Sequence, residues 1–198
     1  MKKITEDQMV AVFLQSELDS TRFGENVSTI LRDMGVTESL VTSPHFNDEK
    51  ENELRKKILT KHRGYSTRED LFAHFPHTVD WYQTSLPKEL LPNLRYIEFS
   101  YWTEITGGSR RVKDAIDTIK AGRQVFNQSN EPFHNAAKAV KQGTLFPPLI
   151  LVTKDSLADA VILEGHLRAT AYVLELNSAP DEIPVILGKA KDMDKWTE

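Results

Sequence analysis

The fold is decided by one stretch of the sequence, residues 161–171, which reads Val-Ile-Leu-Glu-Gly-His-Leu-Arg-Ala-Thr-Ala. Together with Ala160 before it, this stretch begins with the unbroken apolar run 160–163, which is typical of a buried strand. Leu167 and Ala171 then lie one helical turn apart, which favours a helix that begins just after Gly165. The stretch therefore predicts a strand, a tight turn at a glycine and a helix.

The predicted turn has the chemistry of an anion-binding site. Gly165 permits close approach of the backbone to a ligand, and a helix N-terminus directs N–H groups and positive dipole toward the turn. Arg168, in the first helical turn, can add a bidentate contact to phosphate. His166 can serve as a donor or general base, and Glu164 can bind magnesium or accept a proton. A structural turn with a surface arginine is the alternative interpretation.

The residues around this stretch also alternate between strands and helices. The predicted elements are a short strand at 124–126, a helix at 131–142, a strand at 149–152 and a strand at 183–187. Pro132 in the first turn and Gly143 just past the end suit the predicted helix. Pro184 places the last strand near an edge of the sheet, because proline cannot donate to a strand ladder.

The chain before residue 122 is mostly helical by its pattern. Thr5 and Gln8 form a predicted capping box, and Ser66 with Glu69 forms a second one ahead of a helix that ends at Pro76. The charged run 48–63 predicts a solvated helix face. We therefore expect an α+β protein: an N-terminal helical region, residues 1–122, packed on a small mixed-sheet domain, residues 123–198.

A second glycine break resembles the first in its physics. Gly107-Gly108 is followed by Ser109 and Arg110, and Ser109 is predicted to cap a helix that contains Val112, Ile116 and Ile119 and ends at Gly122. Ser109 and Arg110 are therefore candidate phosphate-binding residues, at a second anion site or closing over the first. A capped surface helix is the alternative. The aromatic cluster is expected in the core rather than as a base-stacking platform; it comprises Trp81, Tyr82, Tyr96, Tyr101 and Trp102.

Composition excludes several kinds of chemistry. The 198 residues include no cysteine, which removes thiol nucleophiles, cysteine-ligated zinc and disulfides. The net charge of −4 argues against attraction of the whole molecule to nucleic acid. The spacing of His74 and His77, with His62 upstream, permits a metal site, but Pro76 separates the pair. Without a long apolar stretch or a signal-like N-terminus, we expect a cytoplasmic protein.

The order of these elements resembles the ParB N-terminal-like or sulfiredoxin-like superfamily over roughly residues 123–190. The shared pattern is a helix ending at glycine, a Pro-led strand, a strand ending in acidic-Gly-x-x-Arg, a helix, and a strand opening with Ile-Pro. Here these features are the helix ending at Gly143, the strand after Pro147-Pro148, the run Glu164 to Arg168, and Ile183-Pro184.

The resemblance implies a nucleotide-binding pocket for ATP, ADP or CTP with magnesium. Gly165 and Arg168 match the family's phosphate-binding turn, and Glu164 matches its acidic position, which implies a metal-binding or catalytic role. His166 matches a variable position that is often polar or histidine. Leu167 departs from the family, which commonly has His or Arg there, so one phosphate contact is lost.

The resemblance leaves three functional hypotheses. Sulfiredoxin chemistry is excluded, because it needs a cysteine where this chain has His166. We also expect no helix-turn-helix DNA-binding region after the domain. The leading hypothesis is a nucleotide-binding protein, with phosphoryl transfer or nucleotide hydrolysis as its chemistry if it is an enzyme. The alternatives are a DNA-binding or nuclease-like relative that uses the basic residues of 55–63 for backbone contacts, and a non-catalytic interaction module with a vestigial pocket.

Overall fold

The computed structural model describes residues 1–197, and their fold is α+β. In chain order the elements are β1 (Lys2–Ile4), α1 (Glu6–Leu18), α2 (Gly24–Asp33), α3 (Ser39–Thr42), α4 (Glu49–Arg63), β2 (Asp80–Pro87), α5 (Ser100–Ile105), α6 (Val112–Lys120), α7 (Glu131–Lys141), β3 (Leu149–Thr153), β4 (Val161–Glu164), α8 (His166–Leu174), β5 (Glu182–Lys189) and α9 (Asp194–Thr197). Short 3₁₀ helices cover Asp70–Phe72, Lys88–Asn93 and Leu157–Asp159. Among the described residues, no helix has the length and apolar character needed to cross a membrane.

The strands form a mixed sheet in the order β1-β2-β5-β3-β4. β3 runs parallel to β5, with Leu149 opposite Val185, and antiparallel to β4, with Val152 opposite Val161. All five residues of β3 are buried, which explains its unbroken apolar sequence. The predicted strands at 149–152, 160–163 and 183–187 are confirmed as β3, β4 and β5, and the predicted helices are confirmed as α7 and α8.

The predicted edge position of β5 is wrong, because this strand lies between β2 and β3 in the sheet. Its pairing with β3 begins at Val185, one residue after Pro184. The exposed Pro184 therefore lies ahead of the ladder with β3, where its missing N–H removes no hydrogen bond to that strand.

The chain divides into two compact units. The helical unit is Lys3–Trp81, and the α/β unit comprises Met1–Lys2 and the chain from Tyr82 onward. The division therefore lies at residues 81 and 82, whereas the sequence pattern placed it at 122. Helix α6, which precedes residue 122, buries Val112 and Ile119 in the same core as strands β3 and β5.

The helical unit begins with the predicted capping box. Thr5 Oγ1 accepts from Gln8 N at 3.2 Å, and Gln8 Oε1 accepts from Thr5 N at 2.9 Å. The second predicted capping box is wrong: the chain after Ser66 forms only the 3₁₀ turn Asp70–Phe72. Glu69 N donates back to Gly64 O at 3.0 Å, so this segment closes into a tight loop instead of continuing as a helix.

The strand predicted at 124–126, in the α/β unit, is also wrong. This segment is not a strand; Val125 makes a single bridge to Gln128. Phe126 and Asn127 between them both have positive φ, 49° and 57°. Positive φ at two adjacent residues is the signature of a tight reverse turn, which an apolar pattern does not reveal.

Candidate functional site

The turn between β4 and α8 has the predicted form. Gly165 is the N-cap of α8 with φ of 99° and ψ of 23°, a left-handed conformation that residues with a Cβ rarely adopt. An added Cβ would also lie 2.6 Å from Leu149 Cδ2 and 3.0 Å from Arg168 Nη2. Gly165 offers no side-chain oxygen to the first-turn N–H groups of the nine-residue helix, so no side chain caps it there.

The structure brings Arg168 and Glu164 together at this turn. Arg168 Nη2 donates to the carboxylate of Glu164, and Nη1 donates to Pro147 O at 3.1 Å. Their side chains are 11% and 15% exposed, so both charges are close to the surface but largely covered. The Arg168 guanidinium, which the sequence predicts to bind phosphate, is therefore paired with the carboxylate of Glu164 in the same turn.

His166 is held by aromatic rings and a hydroxyl network. Its ring stacks on Trp102, with centroids 5.2 Å apart and planes 15° apart, and Tyr96 stacks on Trp102 at 4.2 Å. Tyr96 Oη and Thr170 Oγ1 lie 2.7 Å apart, and Thr170 Oγ1 donates to His166 O at 2.7 Å. Burial raises the pKa of Tyr96, so its hydroxyl stays neutral. The stacking restrains the plane of the imidazole, and the hydroxyl network holds the backbone carbonyl of His166.

The segment 107–111 is connected to the site by a backbone hydrogen bond to Tyr96. Tyr96 N donates to Arg110 O at 2.7 Å, and Arg110 has a positive φ of 57°. The N-cap of α6 is Arg111 rather than Ser109, so the predicted capping role of Ser109 is wrong. Ser109 Oγ instead donates to Asp114 Oδ2 at 2.5 Å and accepts from Arg111 N at 3.1 Å.

Sequence reasoning missed the part that three residues play in positioning this site. Tyr96 and Trp102 were expected only as core aromatics, and Tyr96 is fully buried while Trp102 is half-buried. Thr170 lies within the decisive stretch, four residues after His166, and that spacing was the one available signal of its contact with His166 O.

The described residues offer little support for a metal centre. Among residues 1–197 there is no group of three or more His, Asp or Glu side chains that could hold an ion. Glu164 is a single carboxylate, so it could hold a magnesium ion only together with phosphate oxygens and water, and in this structure it accepts from Arg168. In the helical unit, His62 Nδ1 lies 2.8 Å from Asn26 Oδ1, and His74 and His77 are exposed.

The basic run of α4 is not a solvated face throughout. Arg55 is fully buried, and it donates to Leu40 O at 2.9 Å and to Glu51 Oε2 at 3.1 Å. Lys56 pairs with Glu6 at 2.8 Å. A long Arg or Lys side chain becomes buried when backbone carbonyls and carboxylates lie close enough to accept its hydrogen bonds. The charge pattern of the sequence does not show these acceptors, so it predicts an exposed side chain.

Comparison of the chain with family models, with curated proteins and with solved structures finds no match in any of the three.

Proposed function

We propose that the turn at Gly165, the first turn of α8 and Arg168 bind the phosphate of a nucleotide. The observation that carries the proposal is the close packing of the Arg168 guanidinium against a left-handed glycine at a helix N-terminus without a side-chain cap. Backbone donors, positive helix dipole and a guanidinium are then available to one anion.

Phosphate binding on this turn requires an exchange of partners. The Arg168 guanidinium leaves the carboxylate of Glu164 and forms two parallel hydrogen bonds to phosphate oxygens. Glu164 is then released to take a magnesium ion carried by the nucleotide, or a proton. ATP, ADP and CTP are the ligands that the family resemblance implies.

If the site is catalytic, phosphoryl transfer or hydrolysis suits it best, since such reactions depend mainly on positioning and charge stabilisation. His166 is the residue we assign to proton transfer, because its stacking on Trp102 restrains the plane of the imidazole. Glu164 is the second candidate catalytic residue.

A specific observation favours one alternative, a non-catalytic interaction module. Leu167 is 38% exposed in the first turn of α8, where a cation would otherwise add a phosphate contact. Leu167 adds no positive charge, and Glu164 neutralises that of Arg168. The surface around the turn is therefore less positive than a strong triphosphate site requires. The module would bind no nucleotide, and its turn would be structural. The cytoplasmic location stays a prediction, and a nucleic-acid partner stays an alternative that the net charge of −4 does not favour.

Thermal unfolding in the presence of ATP, ADP and CTP, with and without magnesium, tests the proposal. A nucleotide at about 100 times its Kd stabilises the folded protein by roughly 2.7 kcal/mol. We expect such a shift with one nucleotide, its loss in Arg168→Ala, and its retention in Arg123→Ala, which removes an exposed arginine of the same unit. No shift with any nucleotide would favour the non-catalytic module.

A further inference from the structure

The helical unit contains a cavity of about 200 Å³ that the proposed nucleotide site does not use. Apolar and aromatic side chains line part of it, among them Phe75 and Trp81. Polar groups reach the same cavity from Glu6, Tyr65, Arg68, His77 and Thr78, so its lining is polar as well as apolar. An apolar wall with a few convergent polar groups is the usual composition of a small-molecule site.

Arg68 is the cation of this cavity and has no acceptor within the described residues. Its Nη1 is buried without a hydrogen-bond partner, and its side chain forms no ion pair among residues 1–197. The guanidinium carbon lies 5.4 Å from the centroid of the Tyr65 ring and 5.8 Å from that of Phe75. The rings orient the guanidinium by cation–π contact, but they accept no conventional hydrogen bond, and buried donors in folded proteins are nearly always paired.

The nearby carboxylate of Glu6 is already engaged. Glu6 Oε1 accepts from Tyr65 Oη at 2.5 Å, and Oε2 lies 2.8 Å from Lys56 Nζ. Burial by itself raises the pKa of Glu6, but the hydrogen bonds from Lys56 and Tyr65 and the charges of Lys56 and Arg68 outweigh it and lower the pKa. Glu6 is therefore ionised, and Lys56 is shared between Glu6 and Asp7, whose Oδ1 lies 3.0 Å from Lys56 Nζ. Both Glu6 oxygens already have other partners, and Arg68 Nη1 remains a donor open to a further anion.

The loop that carries Arg68 is held in a strained conformation. Arg68, Asp70 and His74 have positive φ values of 56°, 47° and 62°. Gly64 locks the base of the loop, because a Cβ there would lie 2.3 Å from Glu69 O. Backbone strain at non-glycine residues is concentrated in functional sites, and here it fixes the position of the cavity's cation.

We propose that this cavity binds a small monocarboxylate with an apolar, preferably aromatic, body. The carboxylate accepts from the Arg68 guanidinium, and the apolar body packs against Phe75 and Trp81. The size is suitable, since a dry cavity of roughly 150 Å³ is enough to hold benzene.

Calorimetric titration with benzoate tests this site, with neutral benzamide as the matched ligand. The variant Arg68→Gly removes the guanidinium and suits the left-handed backbone at this position, so the protein is expected to fold. Asp70→Gly relieves strain in the same loop but leaves the cavity's cation in place, and it serves as the control.

We expect benzoate to bind saturably at millimolar concentration and benzamide to bind much more weakly. Arg68→Gly should weaken benzoate binding by roughly tenfold to a hundredfold, the effect of losing a charge-assisted hydrogen bond, and Asp70→Gly should leave it unchanged. The proposal is overturned if benzoate does not bind, if benzamide binds as tightly, or if Arg68→Gly binds benzoate like the unmodified protein.

Discussion

The guanidinium of Arg168 is hydrogen-bonded to the carboxylate of Glu164, across the turn that joins β4 to α8. The two residues are four apart in sequence, a spacing that pairs side chains on a helix, yet Glu164 belongs to the strand and only Arg168 to the helix. The pair therefore closes the turn itself. Any anion that binds Arg168 must compete with Glu164.

Neutralising this carboxylate should strengthen phosphate binding. In Glu164→Gln, the amide oxygen still accepts one hydrogen bond from Arg168. The negative charge of the glutamate is gone, so it no longer competes with a phosphate for Arg168 or repels it. We expect magnesium-free nucleotide to bind up to about tenfold more tightly, which is about 1.4 kcal/mol. Calorimetric titration without magnesium measures the change.

The matched control is Glu175→Gln, which changes a glutamate at the opposite end of α8. It should leave nucleotide affinity unaltered. Weaker magnesium-free binding in Glu164→Gln would contradict the exchange of partners and indicate that Glu164 supports Arg168 in the bound state.

Gly165 should be much harder to replace than Gly143 of the same unit. In Gly165→Ala, the methyl group meets Leu149 and the Arg168 guanidinium, and the left-handed backbone is strained as well. We expect a loss of about 2–4 kcal/mol in the free energy of unfolding, from strain and overpacking together. Urea denaturation followed by circular dichroism provides the measurement.

Gly143→Ala separates the two causes. Gly143 also has positive φ, 83°, but nothing lies within 4 Å of an added Cβ. Only conformational strain of about 1–2 kcal/mol is expected there. Equal losses in the two variants would show that close packing at Gly165 contributes nothing.

The sequence predicts β4, Gly165 and α8 well because local patterns determine them. An apolar run, a glycine and helical spacing require no knowledge of distant residues. The edge position predicted for β5 was wrong because the effect of Pro184 depends on where strand pairing begins. Only the register with β3 shows that this pairing begins at Val185. The hydrogen bond between Arg168 and Glu164 was not predicted for a similar reason, since the partner of a charged group in a turn depends on the folded geometry.

Burial of Arg55 could not be predicted from its neighbours either, because two of its acceptors are the carbonyls of Leu40 in α3 and of His45, which lie 15 and 10 residues away in the chain. Truncation in Arg55→Ala removes a fully buried side chain and leaves Leu40 O and Glu51 without this donor. We expect the free energy of unfolding to fall by about 3 kcal/mol or more.

The comparison is with Lys57→Ala, an exposed cation of the same helix, which should change stability by less than about 0.5 kcal/mol. Chemical denaturation of both variants checks the prediction. Similar small losses in the two would mean that Arg55 is as dispensable as a solvated residue.

Glu17 should make the stability of the helical unit depend on pH. Its carboxylate is buried beside Arg63 and His62: Oε1 lies 2.7 Å from Arg63 Nη2, and Oε2 lies 3.5 Å from His62 Nε2. Burial by itself raises the pKa of Glu17, but the contact with His62 and the charge and hydrogen bond of Arg63 outweigh it. The pKa of the folded protein is therefore below the ordinary value of 4.5.

A carboxylate with a lowered pKa stabilises the folded state at pH values above its unfolded pKa, and this contribution is lost as pH falls through the folded pKa. Glu17→Gln should therefore be less stable than the unmodified protein at pH 7, by about 1–3 kcal/mol. The difference should shrink once pH falls below 4.5. Urea unfolding of both proteins between neutral and acidic pH measures it, and titrating groups that do not contact residue 17 cancel in the comparison. Glu25→Gln, at an exposed site in α2, should show no such trend. A constant difference across the pH range would mean that the Glu17 charge contributes nothing and that only packing is lost.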